Sequence, residues 1–283
     1  MCNLIDPYTI SSSFNDIGGL DEIIQDIKDT IFLPLDKAVR TNNSTLFKLP
    51  RGILLHGPPG TGKTMLAKAI AKEAKYFFLN ISEAVIESKF YGETPKVIAA
   101  IFSVAQKLQP IIIFFDEIDS MVGNRDLLTS DHNITKRSTL LQMWDGLTTS
   151  NARIVIIGAT NRYDSIDDAF IRRLPKRIKV GLPNEAARER ILRIMLRNHH
   201  DEDVDFKQLA QKTAGLSGSD LGEITRDASN VALKRRINDD ANGNSTRSID
   251  HILNSDHIDD KIKISMADIN SILGKHLKNL TRQ

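Results

Sequence analysis

Cysteine occurs once in the 283 residues, at Cys2. That scarcity excludes any intrachain disulfide and any cluster of thiolate metal ligands, and it fits a reducing compartment. Long hydrophobic runs are missing as well: no wholly apolar stretch approaches the roughly 18 to 20 residues that a spanning helix requires. The first ten residues carry an acid, no base and no apolar core, so no secretory signal is expected. An excess of one charge sign is also absent. With 38 basic against 36 acidic side chains and a net charge of +2, the chain lacks the surplus of Lys and Arg that coats nucleic acid. What remains is an ordinary balance of 41% apolar and 26% charged residues, enough for one large domain or two modest ones.

The pattern along the chain divides it. Residues 1 to 13 read as a loose lead-in, polar and without a period. Ile23, Ile24, Ile27 and Ile31 fall on one helical face, which Pro34 bends or closes. Gly52 to His56, Tyr76 to Ile81, Ile111 to Phe115 and Ile154 to Gly158 are apolar without polar alternation, as suits strands buried on both faces. Between them, Met65 to Lys75 and Thr94 to Leu108 have helical periods, the second with Thr94 expected as N-cap and Pro95 at the first helical position. Strands alternating with helices predict an α/β fold with a parallel sheet sandwiched by helices, over residues 14 to 182. Beyond Pro183 the strand signal stops. Residues 185 to 197, 219 to 237 and 266 to 280 are helical in period, so 183 to 283 is expected to be a small helical domain. Within it, 238 to 260 reads as a polar insertion.

The segment GPPGTGKT, Gly57 to Thr64, matches the G-x-x-x-x-G-K-[ST] phosphate loop and sits between an expected strand and an expected helix. Glycines let backbone N–H groups turn inward around phosphates, and the following helix aims its positive end at them. Lys63 is placed to reach the β- and γ-phosphates, and Thr64 to offer its hydroxyl to magnesium. Gly57, Pro58, Pro59, Gly60, Thr61, Gly62, Lys63, Thr64 and Met65 are the expected contacts of ATP. In IIIFFDE, the apolar run carries Asp116 to the carboxyl end of a strand, where it can hold Mg2+. Glu117 follows, placed to polarise an attacking water. Cleavage of the β–γ bond is the reaction class these residues imply.

FNDIGGL at Phe14 to Leu20, the GPPGTGKT loop, FFDEIDS, GATNR at Gly158 to Arg162 and SGSDL at Ser217 to Leu221 together resemble the AAA family of ATPases. KFYGE at Lys89 to Glu93, LLQMWDGL and DDAFIRRLPKRIKVGLP resemble its subgroup of membrane-anchored protein extractases, found on the mitochondrial outer membrane and peroxisomes. The resemblance runs from Phe14 to about residue 280. It implies a phosphate-loop NTPase module with a C-terminal helical lid. It makes Asn161 the sensor of the γ-phosphate, and Arg172 and Arg173, with Arg177 as a third candidate, arginine fingers acting on a neighbouring subunit. Fingers in trans imply a homo-hexamer. Asp16, Ile17 and Gly18 would border the adenine, with Gly218 and Ser219 of the lid on the other side.

The resemblance also implies polypeptide substrates, tail-anchored membrane proteins, gripped by Lys89, Phe90 and Tyr91 in a first pore loop. His132 belongs to a second loop at about Asp126 to Asn133. Members of this subgroup carry an N-terminal membrane span ahead of the FNDIGGL segment; the 283 residues themselves read as a soluble, cytosol-facing ATPase module, so either an anchor lies outside this chain or this member works without one. Microtubule-severing and ESCRT-disassembling ATPases share the enzyme and differ in substrate. A nucleotide-dependent switch on nucleic acid is the reading from another class, and the near-neutral charge counts against it.

Overall fold

The computed structural model describes residues 3–32, 52–86, 93–122, 131–148, 153–242 and 263–280. They fall in two compact units, Met1–Gly181 and Leu182–Gln283. In the first, six strands form one sheet: β1 (Asn3–Ile5), β2 (Gly52–His56), β3 (Phe77–Ile81), β4 (Ile111–Phe115), β5 (Ile154–Thr160) and β6 (Lys176–Lys179), in the order β1-β3-β4-β5-β2-β6. All neighbours pair in parallel except β1, which runs antiparallel to β3 with Leu4 opposite Leu79.

The central strands are apolar throughout because both faces are covered. Ile111, Ile113 and Phe115 of β4 enter one core layer, with Ile98 and Phe102 of α4 (Thr94–Lys107), Met121 of α5 (Ile118–Val122) and Trp144 of α6 (Asp131–Thr148). Ile112 and Phe114 point the other way, toward Ile24 and Ile27 of α1 (Asp21–Ile27) and Leu66, Ala67 and Ile70 of α2 (Lys63–Ala74). Two short helices, α3 (Glu83–Ile86) and α7 (Asp168–Ile171), complete this unit.

Three expectations need correction. The lead-in is not without regular structure: β1 caps the sheet edge, and Ile10 is buried in the α2 layer. β6 was not foreseen because an edge strand with only Ile178 buried has a polar sequence. In α4 the N-cap is Glu93, without a side-chain capping bond; Thr94 is the first helical residue and is buried.

The second unit holds α8 (Glu185–Met195), α9 (Phe206–Lys212), α10 (Gly218–Asn242) and α11 (Met266–Leu280) around Leu192, Phe206, Leu209, Leu221, Ile224, Ala228, Ile269 and Leu273. Side chains satisfy the first free N–H groups of each helix. Asn184 accepts from Ala187 N at 2.8 Å, and Asp205 from Lys207 N and Gln208 N at 3.0 Å. Ser217 pairs with Asp220, and Ser265 with Asp268. α9 is an addition to the three expected helices. α10 runs on to Asn242, so the start of the expected insertion is helical; residues 243–260 of it lie outside the described residues.

Candidate active site

Parallel strands bring their carboxyl ends to one edge, and the strand order decides which ends meet there. β5 lies between β4 and β2. The residues after β2 (Gly57 onward), β4 (Asp116) and β5 (Asn161) are therefore neighbours, each strand about 4.8 Å from the next. The loop after β2 turns on left-handed glycines, Gly57 (φ 145°), Gly60 (φ 72°) and Gly62 (φ 91°), and α2 starts at Lys63. Space as well as φ demands glycine at position 57, since a Cβ there would lie 2.1 Å from Val180 O.

Lys63 is 8% exposed, and its ammonium donates to Gly57 O at 2.9 Å and Pro58 O at 2.7 Å. Burial pushes this lysine below its ordinary range, against the opposing pull of Asp116 and Asp119. Thr61 Oγ1 closes the turn on Pro58 O at 3.0 Å. A desolvated cation at the helix N-terminus, inside a glycine cradle, is a site for phosphate oxygens.

Thr64 Oγ1 donates to Asp116 Oδ2 at 3.2 Å, joining α2 to the end of β4. A hydroxyl and a carboxylate oxygen at that separation are the one or two hard oxygen donors that a small divalent cation takes from protein beside phosphate and water. Glu117 is exposed and adopts φ 49°, unusual for a non-glycine residue. The turn is held by Ser120, whose N–H and Oγ donate to Glu117 O at 2.9 and 2.8 Å. Asn161 is exposed just past β5. It lines a cleft of about 650 Å³ with His56, Gly57, Pro58 and Tyr163.

The three arginines differ. Arg173 places Nε and Nη2 on the two carboxylate oxygens of Asp145 at 2.7 and 2.6 Å, and Nη1 on Ala169 O at 2.8 Å. Arg177 reaches Tyr163 OH at 3.3 Å. Arg172 is exposed, and among the described residues its guanidinium has no hydrogen-bond or ion-pair partner.

Residues 53–182 match the family described as "ATPase family associated with various cellular activities (AAA)", and residues 203–245 match an AAA+ lid domain. The chain is 41% identical over 281 residues to the outer mitochondrial transmembrane helix translocase of Xenopus tropicalis, which covers 97% of this chain and 78% of that one. The chain belongs to the AAA family of ATPases. The human protein of the same name is 45% identical over 240 residues, 83% of this chain and 66% of that protein, just under two thirds of its length. A mitochondrial sorting homolog of Caenorhabditis elegans is 44% identical over 220 residues, 77% of this chain and 64% of that one. As an AAA chain it is a nucleotide-binding protein with a helical lid.

The remaining expected contacts of this AAA chain fall as follows. Ile17 is buried in the layer that contains α2, with Gly18 buried beside it, and Met65 packs on the same layer. Asp16 turns its carboxylate onto Ser13, accepting from N at 2.9 Å and Oγ at 2.6 Å. In the lid, Gly218 and the exposed Ser219 open α10. Lys89, Phe90 and Tyr91 lie outside the described residues. His132 falls in the first turn of α6 rather than in a loop.

Sequence reading missed Thr160 and Asp119, which join β5 to α5 through a 2.7 Å bond while Arg162 N donates to Thr160 Oγ1 at 2.8 Å. It also missed His56, whose ring packs on Tyr163 at 4.6 Å beside the cleft. Asp119 had a visible signal in its spacing from Asp116; His56 and Tyr163, far apart in sequence, had none. Among the described residues, no helix is long and apolar enough to cross a membrane.

Proposed function

We propose that this chain is the motor of an outer mitochondrial membrane translocase, hydrolysing ATP to draw tail-anchored proteins out of the bilayer. The observation that carries this reading is the 41% identity to a transmembrane helix translocase over 97% of the chain. The joined Thr64 and Asp116, with Glu117 beside them, supports the hydrolytic half of it.

In the proposed reaction, Lys63 exchanges its carbonyl partners for the β- and γ-phosphate oxygens. Glu117 draws a proton from a water that attacks the γ-phosphorus, and the bond to the β–γ bridging oxygen breaks to leave ADP and phosphate. Asn161, just past the strand that lies between those leading to the loop and to Asp116, orients that water. Thr64 and Asp116 would hold Mg2+, which would supply positive charge to offset that of the phosphates. An arginine from the next subunit meets charge that develops on the transferring group, so the working form is a hexamer. Lys89, Phe90 and Tyr91 are the proposed pore contacts, with His132 as a further candidate. Peroxisomal membranes are a second location for the same activity.

The test uses vesicles that carry a tail-anchored protein, with the chain tethered to them by a tag on a chelating lipid. ATP should release the substrate, and Glu117→Gln should not. Tyr91→Ala should hydrolyse ATP without release. If the parent chain turns over ATP and the substrate stays in the membrane, extraction is the wrong activity while the ATPase assignment stands. Stimulation by tubulin instead would favour severing.

A further inference from the structure

We propose that His56 and Tyr163 are a positioning pair: the imidazole at the end of β2 braces the phenol ring after β5 and so fixes the direction in which Asn161 is presented to the phosphate loop. This rests on the reading that Asn161 orients the attacking water.

β2 and β5 are parallel neighbours, and their last paired residues are His56 and Thr160. At that level the two strands part. The residue after His56 opens the phosphate loop, and the residue after Thr160 is Asn161. Asn161 and Arg162 are both exposed, so their direction depends on what holds the chain on either side of them.

On the near side the hold is polar and buried. Thr160 is 1% exposed, and its hydroxyl donates to Asp119 Oδ1 at 2.7 Å while accepting from Arg162 N at 2.8 Å. On the far side stands Tyr163, which opens a three-residue 3-10 turn, Tyr163–Ser165. Ser165 closes that turn, its N–H and Oγ donating to Arg162 O at 3.2 and 2.7 Å. A single turn of this kind does little to fix its own orientation. The rings supply it: the His56 and Tyr163 centroids are 4.6 Å apart, with the planes tilted by 42°, inside the range of favourable aromatic pairs. Tyr163 also packs on the core layer that holds Phe115 and Trp144, and its hydroxyl accepts from Arg177 of β6 at 3.3 Å.

His56 serves as a brace because its own backbone is held from both sides. Its carbonyl accepts from Val180 N at 2.8 Å beyond β6, and Gly57 N, next in the chain, donates to Thr160 O of β5 at 3.3 Å. Burial first, then Lys179 and Arg177, and last Lys63, keep the imidazole below its ordinary value against the pull of Asp164, so the ring that meets Tyr163 at neutral pH is uncharged. His56, Tyr163 and Asn161 line one cleft with Gly57 and Pro58. Loss of either ring therefore leaves Asn161 room to swing away from the loop, and a displacement of about 1 Å is enough to cost turnover.

The test is steady-state ATP turnover by His56→Ala, Tyr163→Ala, Asn161→Ala and the double variants His56→Ala/Tyr163→Ala and His56→Ala/Asn161→Ala, with thermal unfolding as a check on folding; His56→Gln takes the place of His56→Ala if the latter does not fold. His56→Ala and Tyr163→Ala should each lower kcat by roughly 10- to 100-fold with KM for ATP unchanged, as misplacement does. Their double variant should be no worse than the more impaired single one, because the pair works as a unit. His56→Phe, which keeps a ring, should recover most of the loss. Once Asn161 is alanine, loss of His56 should have little further effect. If His56→Ala lowers kcat by the same factor with and without Asn161, or if His56→Phe is as impaired as His56→Ala, the pair does not act through Asn161 and the proposal is overturned. If Asn161→Ala itself keeps the parental kcat, the reading of Asn161 is what fails, and the proposal falls with it.

Discussion

Replacing Gly57 by alanine tests whether the phosphate loop needs glycine for space or only for its backbone angle. The new Cβ would sit 2.1 Å from Val180 O and 2.9 Å from Val180 C. That backbone cannot simply yield, because Val180 N donates to His56 O at 2.8 Å and extends the β2–β6 pairing. On the other side, Gly57 N donates to Thr160 O at 3.3 Å, so a shift away from β6 disturbs β5. Forcing a side chain to φ 145° costs about 1–3 kcal/mol, and each disrupted hydrogen bond adds about 1 kcal/mol. The expected loss is about 3–5 kcal/mol, or a fall in Tm of about 6–20 °C for a unit of this size.

Gly62→Ala is the matched control. It too has positive φ, at 91°, but a Cβ there meets nothing within 4 Å. Only the backbone term applies, so its loss should stay at about 1–3 kcal/mol. Thermal unfolding followed by circular dichroism gives the ranking, and the binding of a fluorescent ATP analogue reports the loop itself. A Gly57→Ala protein melting within about 2 °C of the parent, or above Gly62→Ala, would refute the steric argument.

Glu117→Gln keeps the turn held by Ser120 and leaves the Lys63 cradle untouched, so nucleotide affinity should persist while turnover falls by about 100-fold or more; hydrolysis at the parental rate would remove Glu117 from the mechanism. His56 is held below its ordinary value of 6.5, by burial first and then by Lys179 and Arg177, against the opposite pull of Asp164. A histidine depressed in the folded state lets the unfolded chain bind the proton first, so stability is full above about pH 6.5 and declines below it until the folded value is passed. His56→Gln should flatten that decline in Tm; an unchanged slope between about pH 7 and 5 would show that other groups carry it.

The parts of the fold legible in sequence are those whose signal is local. β2, β4 and β5 are covered on both faces, and that environment leaves a purely apolar run that no surface segment shares. β1 has three residues, β6 buries only Ile178, and α9 has seven residues. Their stability comes from partners elsewhere in the chain, so their own residues carry little periodicity. The Thr94 cap failed for a related reason. A threonine before a proline has the right local chemistry, but here it is buried, and the helix begins one residue earlier than the side chain suggested.

The site divides along the same line, and the arginines show why. Gly57 to Thr64 is legible because one short loop contains the glycines, the lysine and the helix start that a phosphate needs. Arg172 and Arg173 have the same residue type and adjacent positions, so nothing local separates them. Their difference lies with Asp145, 28 residues earlier in the chain, and reaches Arg173 only because Phe170 buries itself against Trp144 and brings α7 onto α6. A core contact thus decides which charge a surface presents. Phe170→Ala, which removes that contact, should therefore cost about 3–5 kcal/mol of stability and loosen Arg173 from Asp145, read as a fall in Tm.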